Sequence, residues 1–303
     1  MTDFRELATG LQFPEGPVAL ADRSVLVVEI RRGTLSRVDP DGTVAVVANL
    51  GGGPNGAAIG PDGAAYVCNN GGFRWTERAG MVFPIDIATG ASEPPDFEGG
   101  WIERVDLVTG KAERLYTHVD GHRLQSPNDI VFDRQGGFWF TDLGKTRHRD
   151  VDRGGLYYAR TDGSEVVEVA YGLWGPNGVG LSPGGDRVYV AESFSGRLMA
   201  WDLDGPGHVR QPRGACLAAT RGHFDSLAVE ADGAVVVAAL SQGLCVVDPD
   251  DGRHEYVALP DPMTTNVCFA PDDPRTAFVT LSGTGRLIAL EWPRPGLDLA
   301  FSA

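Results

Sequence analysis

Residues 127–142 read PNDIVFDRQGGFWFTD. A turn proline and Asn128 lead into an apolar run, a Gly-containing break interrupts it, and an aromatic-rich second run follows. Short β-branched and aromatic runs joined by such a turn are the pattern of a β-hairpin. The pattern recurs as PEGPVALADRSVLVVE (14–29), PNGAAIGPDGAAYVCN (54–69), PNGVGLSPGGDRVYVAES (176–193), FDSLAVEADGAVVVAAL (224–240) and TNVCFAPDDPRTAFVTL (265–281). Its polar residue is Glu15, Asn55, Asn128, Asn177, Asp225 and Asn266 in turn, at intervals of 40, 73, 49, 48 and 41 residues. Most hairpins are followed by a third strand ending in Asp-Gly, as in GTLSRVDPDG, GGLYYARTDG and GRLMAWDLDG.

Six such units, with almost no amphipathic helical pattern, predict an all-β chain: a six-bladed β-propeller with four-stranded antiparallel blades and a central metal channel. Residues 1–303 are read as one propeller domain. A pair of β-sandwiches fits six equivalent units poorly. The longest interval predicts an insertion, roughly residues 73–101, over one face. The segment FRELATG cannot start a blade alone and is expected to supply the outer strand of the last one.

Composition narrows the partners. The 303 residues are 42% hydrophobic and 22% charged, enough for a large core and against disorder. Forty-one acidic against 26 basic residues leave a net charge of −15, which repels phosphate backbones and anionic membrane surfaces. No apolar run approaches the roughly 20 residues that span a bilayer. The N-terminal MTDFRELATG has no signal-type apolar stretch, so a cytoplasmic location is expected. Cys68, Cys216, Cys245 and Cys268 form no CxxC pair and read as small buried hydrophobes in a reducing compartment.

The polar residue opening each innermost strand of a propeller points towards the axis. Here all six offer a side-chain oxygen and two are carboxylates. Asn and Asp often serve as turn residues before strands. Six at equivalent positions, with Glu and Asp breaking the Asn pattern, instead describe a hard-cation site. The donor set has no His or Cys, which favours calcium, magnesium or manganese over zinc.

At FPEGPV, SPNDIVFDRQGGFWFTD, GPNGVGLSPGGDRVYVAES and FDSLAVEADG the chain resembles the SMP-30/gluconolactonase family, which includes the luciferin-regenerating enzyme, and the similarity covers essentially the whole chain. The resemblance implies one divalent cation, calcium first and zinc, manganese, magnesium or iron as alternatives. Its ligands would be Glu15, Asn177 and Asp225, with Asn128 either a fourth ligand or a contact to substrate and water. Asp129 and Ser226 would support them. Animal gluconolactonases carry Arg-Phe before the Asn-Asp pair, where this chain has Ser126 and Pro127, a departure that separates it from that branch's sugar specificity.

The leading function is opening of a small or sugar lactone. The cation would polarise the ester and acidify water, Asp225 would take the proton, and Asn128 would hold the substrate oxygen or the water. A phosphotriesterase-like hydrolase and a non-catalytic, calcium-stabilised binding propeller are the alternatives. The partner is therefore a small molecule, and the chain a monomer or weak homo-oligomer. His148, in the loop TDLGKTRHRD, together with Asn55, Phe73 and Trp101, are candidate substrate contacts. AESFSG lacks the GxSxG elbow of a serine hydrolase, and GGGPNG lacks the GK[ST] of a phosphate loop.

Overall fold

The computed structural model describes residues 3–302. Its strands form six antiparallel sheets arranged as the blades of a propeller, each of four strands, the fourth blade carrying the short extra strand His208–Val209 as well. The first blade runs Pro14–Ala19, Val25–Glu29, Thr34–Val38 and Val44–Asn49. The second runs Pro54–Ile59, Ala65–Asn69, Trp101–Val105 and Ala112–Tyr116. The third and fourth open with Pro127–Phe132 and Pro176–Leu181, and the fifth with Phe224–Val229. The sixth holds Thr264–Phe269, Thr276–Leu281 and Arg286–Glu291.

The ring is closed by the chain's own start. Arg5–Ala8 pairs antiparallel with Arg286–Glu291, Arg5 opposite Ala289, and becomes the outer strand of the sixth blade. An edge that would otherwise be bare is thus covered. The opening strands of the six blades are neighbours in sequence around the axis, and the sixth meets the first. Between blades lie six apolar clusters, one per interface. Tyr66, Ile102, Phe132 and Phe138 fill the second-to-third interface, for example, and Val27, Val38, Phe278 and Leu287 fill the sixth-to-first. Both faces of a blade are therefore buried, which is why second strands such as VLVVE and VVVAA are continuous apolar runs rather than alternating ones.

The insertion falls between the second and third strands of the second blade and spans 70–100. It ends one residue earlier than the sequence suggests, because Trp101 already pairs with Asn69 in the sheet. The long interval also contains a small hairpin, His118–Val119 with His122–Arg123. Within the insertion, Thr76–Arg78 pairs with Met81–Phe83, and this hairpin reaches the turn Ser282–Thr284 of the sixth blade. Trp75 packs on Phe13 at 5.2 Å between ring centroids, and Glu77 pairs with Arg31 at 2.6 Å. At the other flank, Ser92 and Glu93 donate backbone N–H groups to Thr146 O. The insertion thus bridges the start-of-strand face from the third blade to the first and sixth.

Candidate metal and active site at one end of the channel

Every blade shifts register where its polar motif residue stands: between Glu15 and Val18, Pro54 and Ala57, Pro127 and Ile130, Pro176 and Val179, Phe224 and Leu227, and Thr264 and Asn266. A bulge at a sheet edge re-aims a side chain that regular pleating would direct along the blade. Crowding explains the glycine of the PEG and PNG motifs. A Cβ on Gly16 would lie 2.5 Å from Asn55 O, and one on Gly56 2.5 Å from Asn128 O.

In the first four blades the motif residues are held from behind by the last residue of the second strand. Glu29 accepts Gln12 N at 2.8 Å, Asn69 accepts Gly53 N at 2.8 Å, and Glu192 accepts Trp174 N at 2.8 Å. Asp142 accepts both Gln125 N and Ser126 N at 2.7 Å, and Gly144 N at 3.0 Å. Each fixes the loop one or two residues before a motif proline. Sequence reasoning missed this role, although its signal is present: a carboxylate or carboxamide stands fourteen residues after Glu15, Asn55 and Asn128, and fifteen after Asn177. Hydroxyls beside these positions then tie blade to blade. Thr141 donates to Asn177 O, and Ser193 donates to Phe224 O at 2.6 Å.

Glu15, Asn128 and Asn177 are buried, whereas Asp225 keeps part of its surface open. Glu15 Oε2 accepts Gly16 N and Asn266 Nδ2, each at 2.8 Å. Asn177 is anchored through Nδ2, which donates to Ser193 Oγ at 3.1 Å. Its Oδ1 receives only the distant Ser226 hydroxyl, at 3.4 Å. Asn128 Oδ1 is buried with no hydrogen-bond partner. Burial pushes the Glu15 carboxyl above its ordinary value. Burial and then the Glu15 charge push Asp225 well above it, and the same two causes take Asp129 to about 8. Buried carboxylates that repel one another, beside an orphaned amide oxygen, fit a bound cation, which would neutralise the first and satisfy the second. Among the described residues no three or more His, Cys, Asp or Glu side chains make a metal cluster, so a site here requires the asparagine oxygens.

One expectation changes. Asn266 does not offer its oxygen to the axis: Oδ1 accepts Val267 N at 2.7 Å and Nδ2 faces Glu15, because that carboxylate needs a donor across the interface of the sixth and first blades. Ser226 supports Asp225 through its backbone N–H, while its hydroxyl serves Asn177 and Asp129. Asp129 is buried, with Oδ1 accepting Ile130 N at 3.0 Å. Asn55 is buried at the equivalent position of the second blade.

The remaining candidates lie apart. His148 is exposed at a loop tip whose base is held by Arg147, paired with Asp150, Asp152 and Glu93. Trp101 is buried against Gly52, with the Arg114 guanidinium 3.7 Å from its ring. Phe73 lies in the insertion, its ring 4.0 Å from Lys145 Nζ. That lysine, absent from the sequence reading, is fully buried and donates to Gly72 O at 2.7 Å.

A six-bladed propeller with two carboxylates and two asparagines gathered at one end of its channel defines the class. Residues 13–283 match the SMP-30/gluconolactonase/LRE-like region, and the chain belongs to that family. A gluconolactonase of Zymomonas mobilis is 26% identical over 230 residues, covering 68% of this chain and 56% of its own. Lactonase drp35 of Staphylococcus haemolyticus is 30% identical over 243 residues, covering 78% of this chain and 66% of its own. The chain thus spans a little over half to two thirds of these relatives. The structure of a Xanthomonas campestris gluconolactonase superposes with a TM-score of 0.75 at 24% identity, covering 96% of this chain and 89% of that one, which establishes the shared fold.

Proposed function

We propose that this protein is a divalent-metal-dependent hydrolase that opens a lactone ring. The observation that carries the reading is the buried, unpartnered Asn128 Oδ1 in a channel end shared with Glu15, Asn177 and Asp225. The naming of the Zymomonas and Staphylococcus relatives as lactonases supports the same reaction. Glu15, Asn128, Asn177 and Asp225 would hold the ion. An all-oxygen donor set favours calcium, with magnesium or manganese next. When bound, the cation supplies Lewis-acid polarisation of the ester carbonyl and lowers the pKa of water.

The chain's own residues divide the rest. Glu15, fixed by Gly16 N and Asn266, is a ligand and a counter-charge. Asp225, the one donor with surface open, takes a proton from the attacking water. Asn128 positions the substrate oxygen, and the insertion over this face limits solvent and selects the substrate's size. The product hydroxy acid is an anion, which the net charge of −15 helps to expel.

The test is a pH-indicator assay of calcium-loaded and EDTA-treated protein against aldonolactones, aliphatic lactones and organophosphates. The expected result is lactone hydrolysis by the loaded form, lost on chelation and restored by calcium. Hydrolysis that persists without metal overturns the metal role. Turnover of organophosphates alone assigns the site to phosphotriesters.

A further inference from the structure

The channel has a second end. A cavity of about 230 Å³ opens where the innermost strands finish, on the side opposite the polar motif residues. All six blades contribute to its wall, which is mainly aliphatic: Val18, Ala58, Leu181 and Leu227 face it from four of them. Its polar groups include Asp129 and Asn266, which lie at or beside the motif positions, and Asp298 and Ser302 at the mouth. The chain's C-terminal segment, residues 296–302, lies across its mouth.

This segment is tied firmly at its root and loosely beyond. Gly296 N donates to Pro274 O at 2.7 Å and Leu297 N to Val229 O at 2.9 Å. Past Leu297, the one hydrogen bond back to the blades among the described residues is Arg134 to Asp298 O, at 3.4 Å. Phe301 rests edge-on against Phe132 with centroids 5.9 Å apart, and Leu299 is half exposed. A few residues held by one long hydrogen bond and by the packing of Ala300 and Phe301 on the cluster between the second and third blades form a flap that can open without disturbing a blade.

From this we infer that the far end of the channel is a second ligand site, for an uncharged apolar molecule of about ten non-hydrogen atoms. Size sets the scale: an apolar cavity of about 150 Å³ admits benzene, and this one, at about 230 Å³, has room for a ligand roughly half as large again. The wall sets the class. An ion would exchange its hydration for alkyl surface, and an anion would also face Asp129 with Glu15 and Asp225 behind it. The lactone-opening end is not involved.

Full-length protein is titrated with p-xylene and with indole, calcium-loaded and EDTA-treated, by calorimetry and by ligand-observed NMR. Saturable binding of at least one probe is expected in both forms, with similar affinity. Ala58→Trp fills the cavity from the second blade's innermost strand and should weaken binding at least tenfold. Val18→Phe is the parallel variant should Ala58→Trp not fold. The proposal is overturned if neither probe saturates, if a folded cavity-filling variant binds as wild type does, or if calcium loading alone abolishes binding, which would put the probe at the metal end. Lactone hydrolysis is measured on the same samples, so failure of this site is distinguishable from failure of the proposed activity.

Discussion

At the scale of single residues, four side chains with similar oxygens stand in unequal surroundings, and the proposed activity would give them unequal tasks. Glu15 is immobilised by two donors to Oε2, whereas Asp225 keeps part of its surface open and takes its orientation from the Ser226 N–H. A ligand can be enclosed, but a base must reach water. Asp225→Asn, assayed at saturating calcium, is therefore expected to lower kcat by roughly 10²–10⁴-fold while the ion still binds by calorimetry. Near wild-type turnover would make Asp225 a ligand only and move the base to Glu15 or Asp129. Asn128→Ala should lose about 10-fold to 100-fold, because positioning rather than proton transfer is removed. Calcium affinity of that variant, measured in parallel, separates a lost ligand from a lost substrate contact. The six motif positions were legible because polar residues broke an otherwise apolar hairpin at one recurring place. The orientation of Asn266 was not, since it depends on Glu15, a partner 251 residues away in sequence.

At the scale of elements, site geometry depends on the ends of second strands. Asp142 is buried and collects three backbone N–H groups, two of them immediately before the Pro127–Asn128 motif. Asp142→Ala would strand those donors, so a loss of about 3 kcal/mol in unfolding free energy is expected, with lower activity as the Asn128 loop loosens. Urea denaturation measures the first, and unchanged stability would remove the pinning role. The role hid in the sequence because a polar residue ending a strand looks like the first residue of a turn.

The insertion brings a second element-scale device. Lys145 sits fully buried beneath it, donating to Gly72 O with the Phe73 ring at 4.0 Å. Burial lowers the pKa of its ammonium to about 7, whereas an unfolded lysine keeps an ordinary value near 10.4. Between those values the unfolded chain binds the extra proton, so stability contributed by this group rises with pH and is lost as pH falls towards 7. Lys145→Met removes that dependence. Melting temperatures of wild type minus variant, followed from pH 6 to pH 10, should climb across the window; a flat difference would mean the ammonium stays charged in the fold. The insertion's existence was legible from the 73-residue interval. Its span across the face to the sixth blade was not, because no local pattern encodes where a loop lands.

The whole molecule is a ring whose six apolar interfaces are equivalent in kind but not in connection. Five blades are each built from one unbroken run of chain, while the sixth borrows its outer strand from the chain's start, so the ring is sealed inside that blade by pairing of Arg5–Ala8 with Arg286–Glu291, and residues 9–13 lead on to the first blade. Equivalence made the fold legible: one hairpin pattern repeated six times leaves few other ways to bury both faces of every sheet. Closure was legible too, since FRELATG could not begin a blade. The same reasoning locates the ring's weak point. Removing residues 1–9 deletes the fourth strand of the sixth blade, uncovers the backbone edge of RLIALE, and takes Ala8 and Leu7 from the cluster between the sixth and first blades. A few ladder hydrogen bonds at about 1 kcal/mol each, with the lost apolar burial, amount to about 4 kcal/mol. For a chain of this size that corresponds to a fall of about 10 °C in Tm. The bare edge should also promote self-association, detectable by light scattering at concentrations where the full chain stays dispersed. Calcium ought to recover part of the lost Tm, because an ion held by Glu15, Asn128, Asn177 and Asp225 would tie the first blade to the third, fourth and fifth across the axis. A truncated chain that melts like the full one, with or without calcium, would show that the six interfaces alone hold the ring.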